Sequence, residues 1–228
     1  MVRIICAFVE IGESMKSKSA TGISYSIKEI SKTLTFWLVL INVAVFIAIL
    51  INPNLIRYLW NYNVVYNSPI EIWRFVTSIF THASLSHLIS NLFGIICLGY
   101  VIEKYLTKTE YLFLYLGTGI ITEIASSIYH ALFSPHIVGL GASGAICGLM
   151  GFVITTLIND KKDKFKILFE IIVGFVTVNL FISNVDNIAH FAGLFSGLVF
   201  GFIFMKYCKH EKMNNFLKDY TFEIRSEL

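Results

Sequence analysis

Four residues in three separate stretches carry chemistry that acyl transfer could use. Ser143 lies inside GLGASGAICGLMG, residues 139–151; His87 and Asn91 lie in HASLSHLISN, residues 82–91; His190 lies in AHFAGLFSG, residues 189–197. A serine hydroxyl is a weak nucleophile until a base takes its proton, and His190 is a candidate base. Acyl transfer also needs donors aimed at the developing oxyanion. The side chains of His87 and Asn91 and the backbone N–H of Ser143 are candidates. An N–H at a helix start has no intrahelical partner, and the helix dipole there favours negative charge.

The surroundings of these residues set what must position them. Of 228 residues, 56% are hydrophobic and 14% charged, against about 25% charged in soluble domains, and the mean hydropathy is +0.71. One soluble core could not hide that apolar surface, so the chain reads as an all-α polytopic membrane protein. About 20 apolar residues cross a bilayer. Six segments approach that length: 35–52, 84–102, 110–130, 143–159, 166–183 and 187–206. Residues 1–33 then form a cytoplasmic N-terminal segment, 34–207 the six-helix domain, and 208–228 a cytoplasmic tail. The long connection 53–83, with Tyr58, Trp60, Tyr62, Tyr66 and Trp73, suits a membrane interface.

Lysines flank alternate loops: Lys28 and Lys32, then Lys104 and Lys108, then Lys161 to Lys166, then Lys206 to Lys212. The intervening loops hold only Arg57 and Arg74. The positive-inside rule puts both termini in the cytoplasm and makes the number of spans even. Spans two, four and six then start at the outer face, which gives Ser143, His87, Asn91 and His190 one common depth. Polar groups inside a span are expensive and mark function by default. Glu123 and Asn179 are read as helix–helix hydrogen bonders. Gly144 and Gly148 in span four, and Gly193, Gly197 and Gly201 in span six, are spaced four apart, a pattern that lets membrane helices approach closely.

The net charge of +3 gives no reason to expect a nucleic-acid partner, and the widely separated Cys6, Cys97, Cys147 and Cys208 suggest neither a disulfide framework nor a metal site. No cofactor is implied. A channel or transporter would carry polar groups through the whole membrane depth, whereas these gather at one end.

Together these stretches resemble the rhomboid family of intramembrane serine proteases. The resemblance rests on Trp73–Arg74 in the first loop, the H…HxxxN pattern His82–His87–Asn91, Gly141-Ala-Ser-Gly144, and Ala189-His190 followed by Gly193 and Gly197. It implies a six-transmembrane-helix rhomboid-like bundle and a dyad, with Ser143 as nucleophile and His190 as base. It also implies His87, Asn91 and the Ser143 N–H as the oxyanion site, and structural roles for Trp73, Arg74, Glu103 (in Gly99-x-x-x-Glu103), Gly141, Gly144, Gly193 and Gly197. Implied substrates are single-span membrane proteins cut near the outer surface of the bilayer, in the plasma membrane of a prokaryote. The sequence departs from some bacterial members at Cys147, where those carry a tyrosine packed on the histidine. The alternative is an inactive rhomboid-like protein that binds membrane proteins.

Overall fold

The computed structural model describes residues 30–62, 71–103, 106–134, 138–158 and 186–207. Helix α1 is Leu34–Ile51. Two short helices follow in the first loop, α2 at Ile56–Leu59 and α3 at Arg74–Thr77. Next come α4 at Leu85–Gly94, a π-helical stretch at Ile95–Gly99 and α5 at Tyr100–Glu103, which form one continuous rod. The last three are α6 at Lys108–Phe133, α7 at Ser143–Ile158 and α8 at Asn187–Tyr207. No strand occurs among the described residues; Asn61 and Gly139 form an isolated bridge. Five of the segments read as spans from the sequence are therefore helical to within a few residues. The segment 166–183, with Asn179, lies outside the described residues, as do residues 1–29 and 208–228.

The outer faces of the helices are apolar, and polar residues are buried beside an apolar core. Trp37, Ile47, Leu50 and Ile51 of α1, Phe113, Leu132 and Phe133 of α6, and Phe191, Phe195 and Phe202 of α8 are exposed. Asn42, Thr118, Thr122, Ser126 and His130 are buried. Apolar surface outside and polar groups inside is what a lipid solvent selects. By length and composition α1, α6 and α8 can each cross a membrane; Arg74–Phe80 with Leu85–Gly99 makes a further pair bent by 94°. The chain is an integral, multi-pass membrane protein.

Glycines set how the helices meet. A Cβ at Gly193 would overlap the Gly144 carbonyl oxygen, one at Gly197 the Gly148 carbonyl oxygen, and one at Gly151 the Leu194 carbonyl oxygen. Higher up both helices, Thr155 Oγ1 donates to the Leu198 carbonyl at 3.2 Å. Residue numbers rise together across this contact, so α7 and α8 are parallel. On its other side α7 lies against α6: Gly144 faces Thr122 and Gly148 faces Thr118, so these two helices are antiparallel. His87 faces Gly141 and Gly94 faces Ile146, which makes α4 parallel to α7. The starts of α4, α7 and α8 thus share one end of the bundle.

The opposite end is fastened by Glu103. Its carboxylate accepts from the backbone N–H groups of Leu34 and Thr35 and from Thr35 Oγ1, and so satisfies the orphan donors at the start of α1. Thr107 and Glu110 form a capping box at the start of α6. At the α7 end, the first loop is tied down by Arg74. Its guanidinium donates to Glu71 Oε2 at 2.6 Å and to the carbonyls of Arg57 and Trp60 at 2.7 and 3.0 Å. Trp73 Nε1 donates to the Tyr58 carbonyl at 3.4 Å. Asn61 Nδ2 donates to Glu123 Oε2 at 2.8 Å and to Ser127 Oγ at 2.7 Å. Glu123 therefore holds the first loop against α6; among the described residues its carboxylate is bonded by Asn61 of that loop, where a second spanning helix was expected.

Two outcomes follow for stability in detergent. Gly197→Ala lowers the unfolding midpoint by forcing α7 and α8 apart, whereas Gly117→Ala, where nothing among the described residues lies within 4 Å, leaves it unchanged or raises it through helix propensity. Asn61→Ala leaves the Glu123 carboxyl without its amide partner and costs about 1–3 kcal/mol, read from denaturant unfolding; an unchanged free energy contradicts the anchoring role.

Candidate active site

Ser143 is the first residue of α7 and is half-buried. The chain enters this helix through Gly141, whose φ of +109° lies in the region that disfavours residues with a Cβ. A Cβ there would also lie 2.7 Å from Cε1 and Nε2 of His87 and 3.4 Å from Nδ2 of Asn91. Gly141 N–H donates to the Ser78 carbonyl at 2.9 Å, which pins the turn from the far side. The first α-helical bond of α7 runs from Ile146 N–H to the Ala142 carbonyl, so the N–H groups of Ser143, Gly144 and Ala145 precede the helical ladder. The glycine-rich stretch thus has two physical causes: a left-handed turn under His87, and a helix face close to α8.

His87 and Asn91 sit one turn apart on α4, and Asn91 Nδ2 donates to the His87 carbonyl at 3.1 Å. Ser84 caps α4 by accepting from the His87 backbone N–H at 3.2 Å, so the imidazole is what His87 can offer to a ligand. That ring packs edge-on against His82, with centroids 5.0 Å apart and planes at 67°. His82 is fully buried, and neither ring nitrogen has a hydrogen-bond partner among the described residues.

His190 is buried on the first turn of α8. It lies one turn before Gly193, and Ser143 is the residue before Gly144; Gly193 and Gly144 are in backbone contact. The same close approach therefore carries both residues, at the same end of two parallel helices. The His190 backbone N–H donates to the carbonyl of Asp186, one turn earlier, at 3.1 Å. Ser143, His87, Asn91 and His190 gather here, while Glu103 lies at the other end of the bundle among Leu34, Thr35 and Tyr111. Cys147, one turn after Ser143, is buried. Among the described residues no cluster of His, Cys, Asp and Glu could hold a metal ion.

Three residues near the site carry more than the sequence reading gave them. Asp186 stands just before span six, and its place in the sequence gives it no role. In the structure it accepts from Ser126 Oγ at 2.5 Å and lies 3.2 Å from His130 Nε2. The available signal was a row of polar residues four apart, Thr118, Thr122, Ser126 and His130, which lies on one face of a helix.

The rhomboid domain family matches residues 69–207. The chain is 34% identical to "RHOMBOID-like protein 6, mitochondrial" of Arabidopsis thaliana over 59% of this chain and 44% of that protein. It is 31% identical to "Putative rhomboid protease YdcA" of Bacillus subtilis over 58% of this chain and 67% of that protein. It is also 31% identical to "Rhomboid protease GlpG" of Haemophilus influenzae over 68% of this chain and 81% of that protein. The match covers less than half of the Arabidopsis protein. With the family matched over more than half of its length, this chain belongs to the rhomboid family.

Proposed function

We propose that the protein is an intramembrane serine endopeptidase that cuts single-span membrane proteins with a Ser143–His190 dyad. The observation that carries the reading is the parallel contact of α7 and α8 through Gly144 and Gly193, with Ser143 and His190 at the heads of the two helices. His190 takes the proton from Ser143 Oγ as that oxygen attacks the scissile carbonyl. The imidazole of His87, the amide of Asn91 and the N–H of Ser143 donate to the oxyanion. The tetrahedral intermediate then collapses, and His190 returns the proton to the leaving amine. Water, deprotonated by His190, releases the acyl group from Ser143 by the reverse sequence. No cofactor takes part.

The lysine-rich loops support an orientation with both termini in the cytoplasm and the starts of α4, α7 and α8 toward the outer face. The proposed compartment is the plasma membrane of a prokaryote. The cut then falls near the outer surface of the bilayer, where a substrate helix unwinds most easily and its carbonyl can reach a backbone-lined site.

Purified full-length protein and its variants, incubated in detergent with a fluorophosphonate probe and a transmembrane-helix substrate, test this reading. The native chain labels at Ser143 and cleaves; Ser143→Ala loses both, and His190→Ala loses cleavage and labels far more slowly. Asn91→Ala and His87→Ala each lower kcat by about 10²–10³-fold, the scale of one oxyanion donor. Equal cleavage by native and Ser143→Ala protein contradicts the dyad. A folded native chain that neither labels nor cleaves across several substrates favours the inactive, binding reading.

A further inference from the structure

Asp186 stands immediately before α8, and its two carboxylate oxygens point to different helices. Oδ1 accepts from the backbone N–H of Ala189 at 3.0 Å, the geometry of an N-cap. Its main-chain carbonyl accepts from the backbone N–H of His190 at 3.1 Å. Oδ2 reaches across to α6, where Ser126 Oγ donates at 2.5 Å and His130 Nε2 lies at 3.2 Å. The side chains of His130 and Asp186 are 9% and 19% exposed, so water competes little for these contacts. The first turn of α8, which carries His190, is thus built on Asp186 and moored by it to a second helix.

That mooring is continuous with the contact that sets Ser143. Ser126 and His130 extend the α6 row that begins at Thr118 and Thr122, and those threonines lie against Gly148 and Gly144 of α7. One face of α6 therefore touches the head of α7 and the cap of α8. It fixes the two helix starts relative to each other alongside the direct glycine contact, which Thr122 also borders.

We infer that Asp186, gripped by Ser126 and His130, is a positioning residue for His190: its cap sets the rotation of the first turn of α8, and its grip on α6 fixes that turn against the bundle. The inference rests on the dyad reading above. Asp186 takes no part in the transfer; the proton moves from Ser143 Oγ to His190 and on to the leaving amine. The two functions separate chemically. Asparagine still caps the helix, because its side-chain oxygen accepts from Ala189 N–H, but it carries no charge and offers one acceptor oxygen where the carboxylate offers two.

The test is steady-state cleavage of a transmembrane-helix substrate by the full chain in detergent, with the unfolding midpoint measured beside it. Asp186→Asn is expected to lower kcat on the order of tenfold to a hundredfold, the cost of a small misplacement, with KM and the midpoint little changed. Asp186→Ala loses the cap as well and falls further in both kcat and midpoint. Ser126→Ala, which leaves the cap and charge in place, lowers kcat less, and its effect largely disappears in the Asp186→Asn background because both act through one contact. Should Asp186→Asn fail to fold, Ser126→Ala and His130→Gln carry the same expectation of reduced kcat at constant KM. Native kcat in folded Asp186→Asn, or a loss that tracks only the unfolded fraction, overturns the inference while leaving the dyad intact. A native chain that neither labels at Ser143 nor cleaves overturns the dyad, and this inference with it.

Discussion

Everything at the candidate site depends on two helix backbones touching without side chains between them. Between α7 and α8 the contact runs through Gly144 with Gly193, Gly148 with Gly197 and Gly151 with Leu194. In lipid there is little hydrophobic gain from bringing two apolar helices together, so association relies on packing and interhelical hydrogen bonds. Glycine allows the closest packing, and the cost in helix propensity, about 1 kcal/mol each relative to alanine in water, is accepted at the positions where approach matters. The contact fixes both the separation and the register of two parallel helices. Register is what puts the first turn of α8 beside the first residue of α7.

A second constraint acts at the same end of the bundle, where buried polar groups must find partners or lose several kcal/mol each. The face of α6 answers part of this need. Glu123 and Ser127 take the amide of Asn61, and Ser126 and His130 take the carboxylate of Asp186. Arg74 gathers the carbonyls of Arg57 and Trp60. The first loop, the turn into α7 and the start of α8 are thereby attached to one rigid helix. A hydrolytic centre in a membrane needs such attachment, because its reacting groups come from helix ends, which fray when left alone.

Much of this was legible in the sequence, and the reasons differ by feature. The spans are long apolar runs bounded by charge, and bilayer thickness alone sets their length. The glycine stripes are visible because spacing by four survives any detail of packing. The common depth of Ser143, His87, Asn91 and His190 follows from loop charge. The polar row on α6 escaped notice because serine and threonine are unremarkable in a membrane helix, where they bond back to their own backbone, as Thr118 does to the Leu114 carbonyl at 2.6 Å. The partner of Glu123 was assigned to a helix because nothing local reveals that the first loop folds back over α6. The role of Asp186 is not legible in the sequence because its α6 partners lie 56 and 60 positions away.

The measurement that bears most directly on the account is an experimental structure of the full chain after reaction with an organophosphonate serine probe. The account predicts a covalent bond at Ser143 Oγ, with the His190 imidazole within about 2.6–3.2 Å of a reacting oxygen and the probe's anionic oxygen held by His87, Asn91 and the Ser143 N–H. An adduct at another residue, or a His190 ring a helix diameter away, about 10 Å, would contradict it.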